Sequence, residues 1–297
     1  MRRGERSMVQ RADFRSYYGR PILKQPTWEA RDIAGYLFLG GLAGASSTLA
    51  AGAHLTSRPG FARASKLGAL GAISLSTAAL VHDLGRPARF ANMLRVFKPT
   101  SPMSVGSWLL AAYAPAAGVA ATSAVSGRMR NVGSAATIGA GLLGPAVASY
   151  TAVLVANTAV PAWHAGHREL PFVFAGSAAC AAAGLALLAS PAEEVGPAQR
   201  VAVAATIVEQ VAFKRLKDNA GEVAETFEQG HAGKLLDVAN GLSMVGAAGA
   251  LFARRSRIAG AISGACLLAS SACTRFGIFA AGRASVADPK YVVKAQH

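Results

Sequence analysis

The chain has 297 residues, 52% of them apolar and only 15% charged, whereas a soluble domain carries about 25% charged residues. Thirty Lys and Arg against 15 Asp and Glu give +15, but the excess sits in short segments between long Ala/Gly/Leu/Val stretches rather than in a nucleic-acid-binding patch. Cys180, Cys266 and Cys273 lie inside apolar stretches with no C-x-x-C motif, which disfavours a disulfide framework, a zinc site and a Cys-ligated cluster. The composition predicts an all-α, polytopic membrane protein.

Residues 1–32 read as a basic N-terminal arm containing Tyr17, Tyr18, Pro21, Pro26 and Trp28. Arg2 and Arg3 precede no apolar run before Ile33, so no cleavable signal peptide is expected. The arm suits an interfacial segment with its aromatics among headgroups, and equally a docking arm for a peripheral subunit. A helix needs about 20 apolar residues to cross a bilayer. Eight stretches qualify: 33–56, 64–84, 104–126, 135–157, 169–190, 197–216, 233–253 and 256–279. Gly40, Gly41, Gly44, Ala45, Ser46 and Ser47 crowd the first span, and small faces let helices approach closely in lipid. The sixth span is the weakest, interrupted by Arg200, Glu209 and Gln210. Eight spans place both termini on one side, where 21 Lys and Arg face 9 on the other. The positive-inside rule then predicts cytoplasmic termini.

Ionisable groups within spans are costly and functional candidates by default. Asp32 and Tyr36 open span 1; His82, Asp83, Arg86 and Arg89 close span 2; Ser104, Ser107 and Trp108 open span 3. Tyr150 and Asn157 end span 4, and the loop 158–168 carries Trp163, His164, His167 and Arg168. Alternating helix direction puts all of these on the terminus side, as a ligand pocket at the membrane surface requires. Asp32 suits proton transfer or an N-terminal cap. Asp83 with Arg86 at i+3 suits an ion pair closing the span before Pro87, or proton handling. For His82 the structural role is favoured. Arg89, Arg95, Lys98, His164, His167 and Arg168 would present a docking surface with the arm; Trp163 and His164 divide between headgroup anchoring and partner contact. Glu209, Asp237 and Arg275 lie at similar depth in the other half, either as a structural ion network or as a proton route. His54 and His82 fall at opposite ends of adjacent spans, about 30 Å apart in depth. They cannot share one iron, so no haem is expected.

The run L-V-H-D-L-G-R-P-A-R-F-A-N-M-L-R (80–95) with S-P-M-S-V-G-S-W (101–108) resembles the NrfD-type, polysulfide-reductase membrane-subunit family. Y-L-F-L-G-G-L-A-G-A-S-S (36–47), S-Y-T-A-V-L-V-A-N-T-A-V-P-A-W-H (149–164) and R-F-G-I-F-A-A-G-R-A-S-V-A-D-P-K-Y (275–291) are similar to it as well. The resemblance implies a bacterial cell-membrane protein of eight transmembrane helices in two four-helix bundles, 33–157 and 169–279, joined by 158–168 and followed by a tail, 280–297. It further implies a bound quinone (menaquinone or ubiquinone), no haem and no metal held by this chain. The implied partners are a four-cluster ferredoxin-type iron–sulfur subunit and a molybdopterin-type catalytic subunit. Quinone would sit in the first bundle near the cluster-subunit face.

The family pair that opens span 1, typically Asn then His, is matched by Asp32 and Tyr36, a departure; the span-4 tyrosine is matched by Tyr150. Tyr150, Tyr36 and Asp32 are thus the expected quinone contacts, Tyr150 competing with a role as a buried tyrosine bonded to backbone. The expected function is electron transfer between a partner's cluster and quinone. A redox-inactive anchor is the alternative. A secondary transporter is disfavoured, because its polar groups would gather at the midplane.

Overall fold

The computed structural model describes residues 23, 26, 28–83 and 92–294. Among these, eight helices have 20 residues or more: α1 (Ala30–Leu55), α2 (Pro59–Asp83), α3 (Pro102–Ser126), α4 (Arg130–Ala156), α5 (Leu170–Ala189), α6 (Gly196–Asn219), α7 (Gly230–Ala250) and α8 (Arg257–Ala287). No strand occurs among the described residues. The N-terminal arm up to residue 22, together with Arg86 and Arg89, lies outside the described residues.

Local chemistry sets the helix ends. Pro59 and Pro102 start α2 and α3 in first-turn positions, where a missing N–H costs nothing. Ser101 caps α3 by accepting from the Ser104 amide at 3.4 Å, and Gly127 ends it at φ 67°. Proline stands inside α3 (Pro115) and α4 (Pro145) without ending either helix, a tolerance characteristic of membrane helices. The last helix runs eight residues past the end expected from the sequence, from position 279 to Ala287, so the start of the expected tail is helical. Gly282, Arg283 and Ser285 continue its turns until Asp288 and Pro289 stop it.

Six of the eight helices are long and apolar enough to cross a membrane; α6 and α7 are not. The reason is compositional. Arg200, Glu209, Lys214, Arg215, Lys217 and Asp218 stud α6, and Lys234, Asp237 and Asn240 stud α7.

Helix α1 packs against α2, α4, α5 and α8, while α3 bridges α2 and α4. In the second half α5 packs on α6 and α8, and α7 on α6 and α8. A β-carbon at Gly44 would run into the Gly144 carbonyl, and one at Gly144 into the Gly44 carbonyl. The α1–α4 crossing is therefore backbone on backbone. Thr48 Oγ1 seals it, donating to the carbonyls of Gly44 and Gly141 at 3.2 Å each. Gly184 and Gly264 meet in the same reciprocal way where α5 crosses α8. Without a hydrophobic force between helices in lipid, such close contact supplies the packing energy.

Candidate functional site

The terminus-side ends of the first four helices enclose a narrow slot. From α1 come Ile33, Tyr36 and Leu37; from α2, Leu80 and Asp83; from α3, Gly106, Ser107 and Leu110; from α4, Tyr150, Leu154 and Val155. Trp28, Met93 and Met103 complete the lining. The ring of Tyr150 rests on Gly106, where any β-carbon would collide with it. Tyr36 is 4% exposed, and its backbone carbonyl accepts from Ser76 Oγ at 3.2 Å, which ties α1 to α2 beside the slot. Deeper in the same half, Ser47 and Tyr113 share a buried hydroxyl–hydroxyl bond of 2.7 Å between α1 and α3. Tyr150 is different. Its hydroxyl is buried and has no hydrogen-bond partner among the described residues. A buried donor left unpaired costs about 1–3 kcal/mol.

Two of the sequence-predicted contacts, Tyr150 and Tyr36, meet in the slot; Asp32 does not line it. Its carboxylate instead pairs with His82 Nδ1 at 2.8 Å, across the α1–α2 contact. Nor does Asp32 cap α1, because Glu29 occupies the cap position. The carboxylate in the slot is that of Asp83. Ser107 lines the slot as well, whereas Ser104 and Trp108 pin the preceding segment. Ser104 Oγ donates to the Val96 carbonyl at 3.1 Å, and the Trp108 indole does so at 3.4 Å.

Trp163 requires a correction. The sequence placed it at the headgroups or on a partner, yet it is fully buried. It sits in the one-turn helix Pro161–Ala165, stacks on Trp28 with centroids 6.0 Å apart, and packs against Phe279 at 5.5 Å. Its Nε1–H donates to the Ile278 carbonyl at 2.8 Å, and its ring fills the notch left by Gly282. His164, His167, Arg168, Arg95 and Lys98 are exposed, and the two imidazoles stack at 5.6 Å. A wider cleft of about 670 Å³ lies beside them, between Pro161, His164, Val223 and Tyr291. At its edge Glu225 accepts from Lys290 Nζ at 2.9 Å and from the Tyr291 hydroxyl at 3.0 Å. The Glu225 hydrogen bond holds the Lys290 ammonium above its usual range, and burial pushes the Tyr291 hydroxyl up.

In the second half Glu209 and Arg275 are both buried. Thr274 donates to Glu209 Oε1 at 2.9 Å, and Arg275 donates to the Phe174 carbonyl at 2.7 Å with its guanidinium 3.7 Å from the Phe174 ring centroid. Asp237 takes no part in this cluster; it is exposed in a separate cleft with Lys214 and Lys217. Among the described residues, no three His, Cys, Asp or Glu side chains converge to hold a metal ion.

The polysulfide reductase family model NrfD_2 matches residues 15–289. The chain belongs to this family. No curated protein matches the chain. Four of the five stretches that carry the NrfD-type resemblance contribute side chains to the slot; 275–291 does not. Residues 36–47 contribute Tyr36 and Leu37; 80–95 contribute Leu80, Asp83 and Met93; 101–108 contribute Met103, Gly106 and Ser107; 149–164 contribute Tyr150, Leu154 and Val155. Sequence reasoning missed Trp28, Met93, Met103 and Gly106 as lining residues. For the last two the signal was present in the S-P-M-S-V-G-S-W motif, which reads as a family mark and not as a surface.

Proposed function

We propose that this protein is the quinone-reactive membrane subunit of a multi-subunit oxidoreductase. In this reading it passes electrons between a partner iron–sulfur subunit of the four-cluster ferredoxin type, itself serving a molybdopterin-type catalytic subunit, and the membrane quinone pool. The observation that carries the proposal is the unpartnered Tyr150 hydroxyl, buried at a slot lined mainly by apolar side chains with Asp83 and Ser107 among them. The slot measures about 80 Å³, below the roughly 150 Å³ of a cavity known to hold benzene. Admitting a ring therefore requires side chains to move. Met93 and Met103 line it, Met103 is 52% exposed, and methionine is the side chain that repacks most readily. A quinone, when bound, supplies two-electron, two-proton redox chemistry. For its part, Tyr150 donates a hydrogen bond at Oη; Ile33, Leu37, Leu80, Leu110 and Leu154 exclude water; and Asp83 holds a proton at the slot. The exposed His82, paired with Asp32, relays protons between slot and solvent.

The same reading takes all eight long helices as spans, in two four-helix bundles with cytoplasmic termini. Helices α6 and α7 support it by their inside-out pattern. Ile207, Val208 and Val211 of α6 and Met244 and Val245 of α7 are exposed, while Glu209 is buried, the reverse of a water-facing helix. Reporter fusions after His297 and in the 127–129 loop should give opposite signals, with His297 cytoplasmic. A periplasmic signal at His297 would overturn the orientation and leave the span count standing.

Replacing Tyr150 with phenylalanine removes one hydroxyl and keeps the ring on Gly106. The lost bond should cost about 1 kcal/mol, a rise of roughly five-fold in the apparent KM for quinone. Electron transfer to a soluble artificial acceptor, which bypasses this subunit, should stay at the wild-type rate. Unchanged quinone kinetics in a fully assembled Tyr150→Phe complex would rule the site out.

A further inference from the structure

Glu209 lies in the interior of the second half, 4% exposed, with Oε1 bonded to Thr274 and Oε2 unpartnered among the described residues. Around it stand Thr274 and Arg275 from α8, Ser177 and Cys180 from α5, and Gln210 and Asn240 at the α6–α7 contact. A buried carboxylate oxygen without a donor is costly to maintain. Its surroundings show how that cost is met.

Glu209 lines a small cavity of about 20 Å³, together with Gln210, Asn240 and Thr274. A water molecule needs about 10–15 Å³ of such space and two to four polar partners, so the cavity has room for one. Four side chains, Gln210, Phe213, Leu236 and Asn240, line this cavity and also the floor of a much larger cleft of about 590 Å³. That cleft is polar, carrying Lys214, Lys217, Asp218, Glu228 and Asp237, and it opens at the terminus-side ends of α6 and α7. Of the shared side chains two are amides. Gln210 is held in place by donating to Ser243 Oγ at 3.0 Å, and Asn240 is exposed to the cleft. Beyond Glu209 the polar path stops at Arg275. Its guanidinium is clamped on Phe174 and reaches the Gly41 face of α1, and no carboxylate lies within 4 Å of it among the described residues.

We infer that the α6–α7 cleft is a proton port. A single water between Gln210, Asn240, Thr274 and Glu209 connects the Glu209 carboxyl to bulk water on the terminus side. The proton comes from an acid dissolved in the cleft, adds to a Glu209 carboxylate oxygen, and returns by the same route. Arg275, a fixed cation, closes the inner end. The inference needs only the two cavities and the buried carboxyl, and stands apart from the quinone reading.

The full-length protein in lipid nanodiscs tests it by infrared difference spectroscopy. A protonated carboxyl band that is lost in Glu209→Gln should shift within the mixing time when the sample is moved into D₂O. In Asn240→Leu, which places apolar bulk in the partition and leaves Glu209 untouched, the same shift should slow at least ten-fold. Mass-spectrometric mapping of a carbodiimide adduct identifies the reactive carboxyl in the wild-type chain itself, so the result holds even where Glu209→Gln fails to fold. Absence of any protonated Glu209 carboxyl across the accessible pH range would overturn the port. So would exchange in Asn240→Leu as fast as in wild type.

Discussion

Trp163→Ala is expected to cost about 3–5 kcal/mol of stability, the range for emptying a fully buried indole site. The side chain makes three kinds of contact that alanine cannot replace. It stacks on Trp28, packs on Phe279, and donates to the Ile278 carbonyl at 2.8 Å. Truncation leaves that carbonyl without this donor and opens a void against Gly282, which has no side chain to fill it. Thermal unfolding in detergent should therefore show a large drop in midpoint. Arg168→Ala and His167→Ala, on exposed residues of the adjoining segment, should unfold like wild type. Equal midpoints for Trp163→Ala and wild type would mean that the indole is not a core residue.

A comparable loss is expected from Gly44→Val. Overpacking usually costs about 1–3 kcal/mol because side chains can shift, but here the obstacle is the Gly144 carbonyl with the Ala148 amide behind it, 3.1 Å from the added β-carbon. Backbone cannot rotate away as a side chain can. Helices α1 and α4 must separate, and Thr48 then loses its bond to the Gly141 carbonyl. The same substitution at Gly52, two turns along α1, meets nothing within 4 Å and is the matched control. The yield of monodisperse protein after detergent extraction should fall for Gly44→Val and hold for Gly52→Val. Equal yields would show that the crossing is looser than the structure has it.

Six of the eight helices were readable because their apolar runs are long and continuous, whereas charges interrupt the runs of α6 and α7. All eight expected stretches overlap a long helix, and boundaries moved where caps decided them, as at Pro59 and Ser101. Tyr36 and Tyr150 were legible as a pair because alternating helix direction fixes depth without knowledge of packing. Asp32 and Asp83 were not separable that way. They share a depth and differ in azimuth, which is set by how α1 and α2 turn toward one another through Ser76. Trp163 misled for a related reason. A tryptophan after proline in a connecting loop carries the sign of an interfacial anchor, and its true surroundings come from Gly282, more than a hundred positions away. Asp237 was grouped with Glu209 by depth alone, although it stands on the outer side of the partition.

The paired glycines of α1 and α4 also bear on how the protein is made. During synthesis α1 leaves the ribosome ahead of α2 and pairs with it next, yet the surface around Gly44 has no mate until α4 emerges a hundred residues later. Throughout that interval a helix face shaped for contact with backbone is covered only by lipid tails, which cannot follow its groove. Although it precedes its partners, α1 is among the last of these helices to be fully enclosed, and a chain halted in the 127–129 turn keeps α1 to α3 in the bilayer without the clasp that locks them.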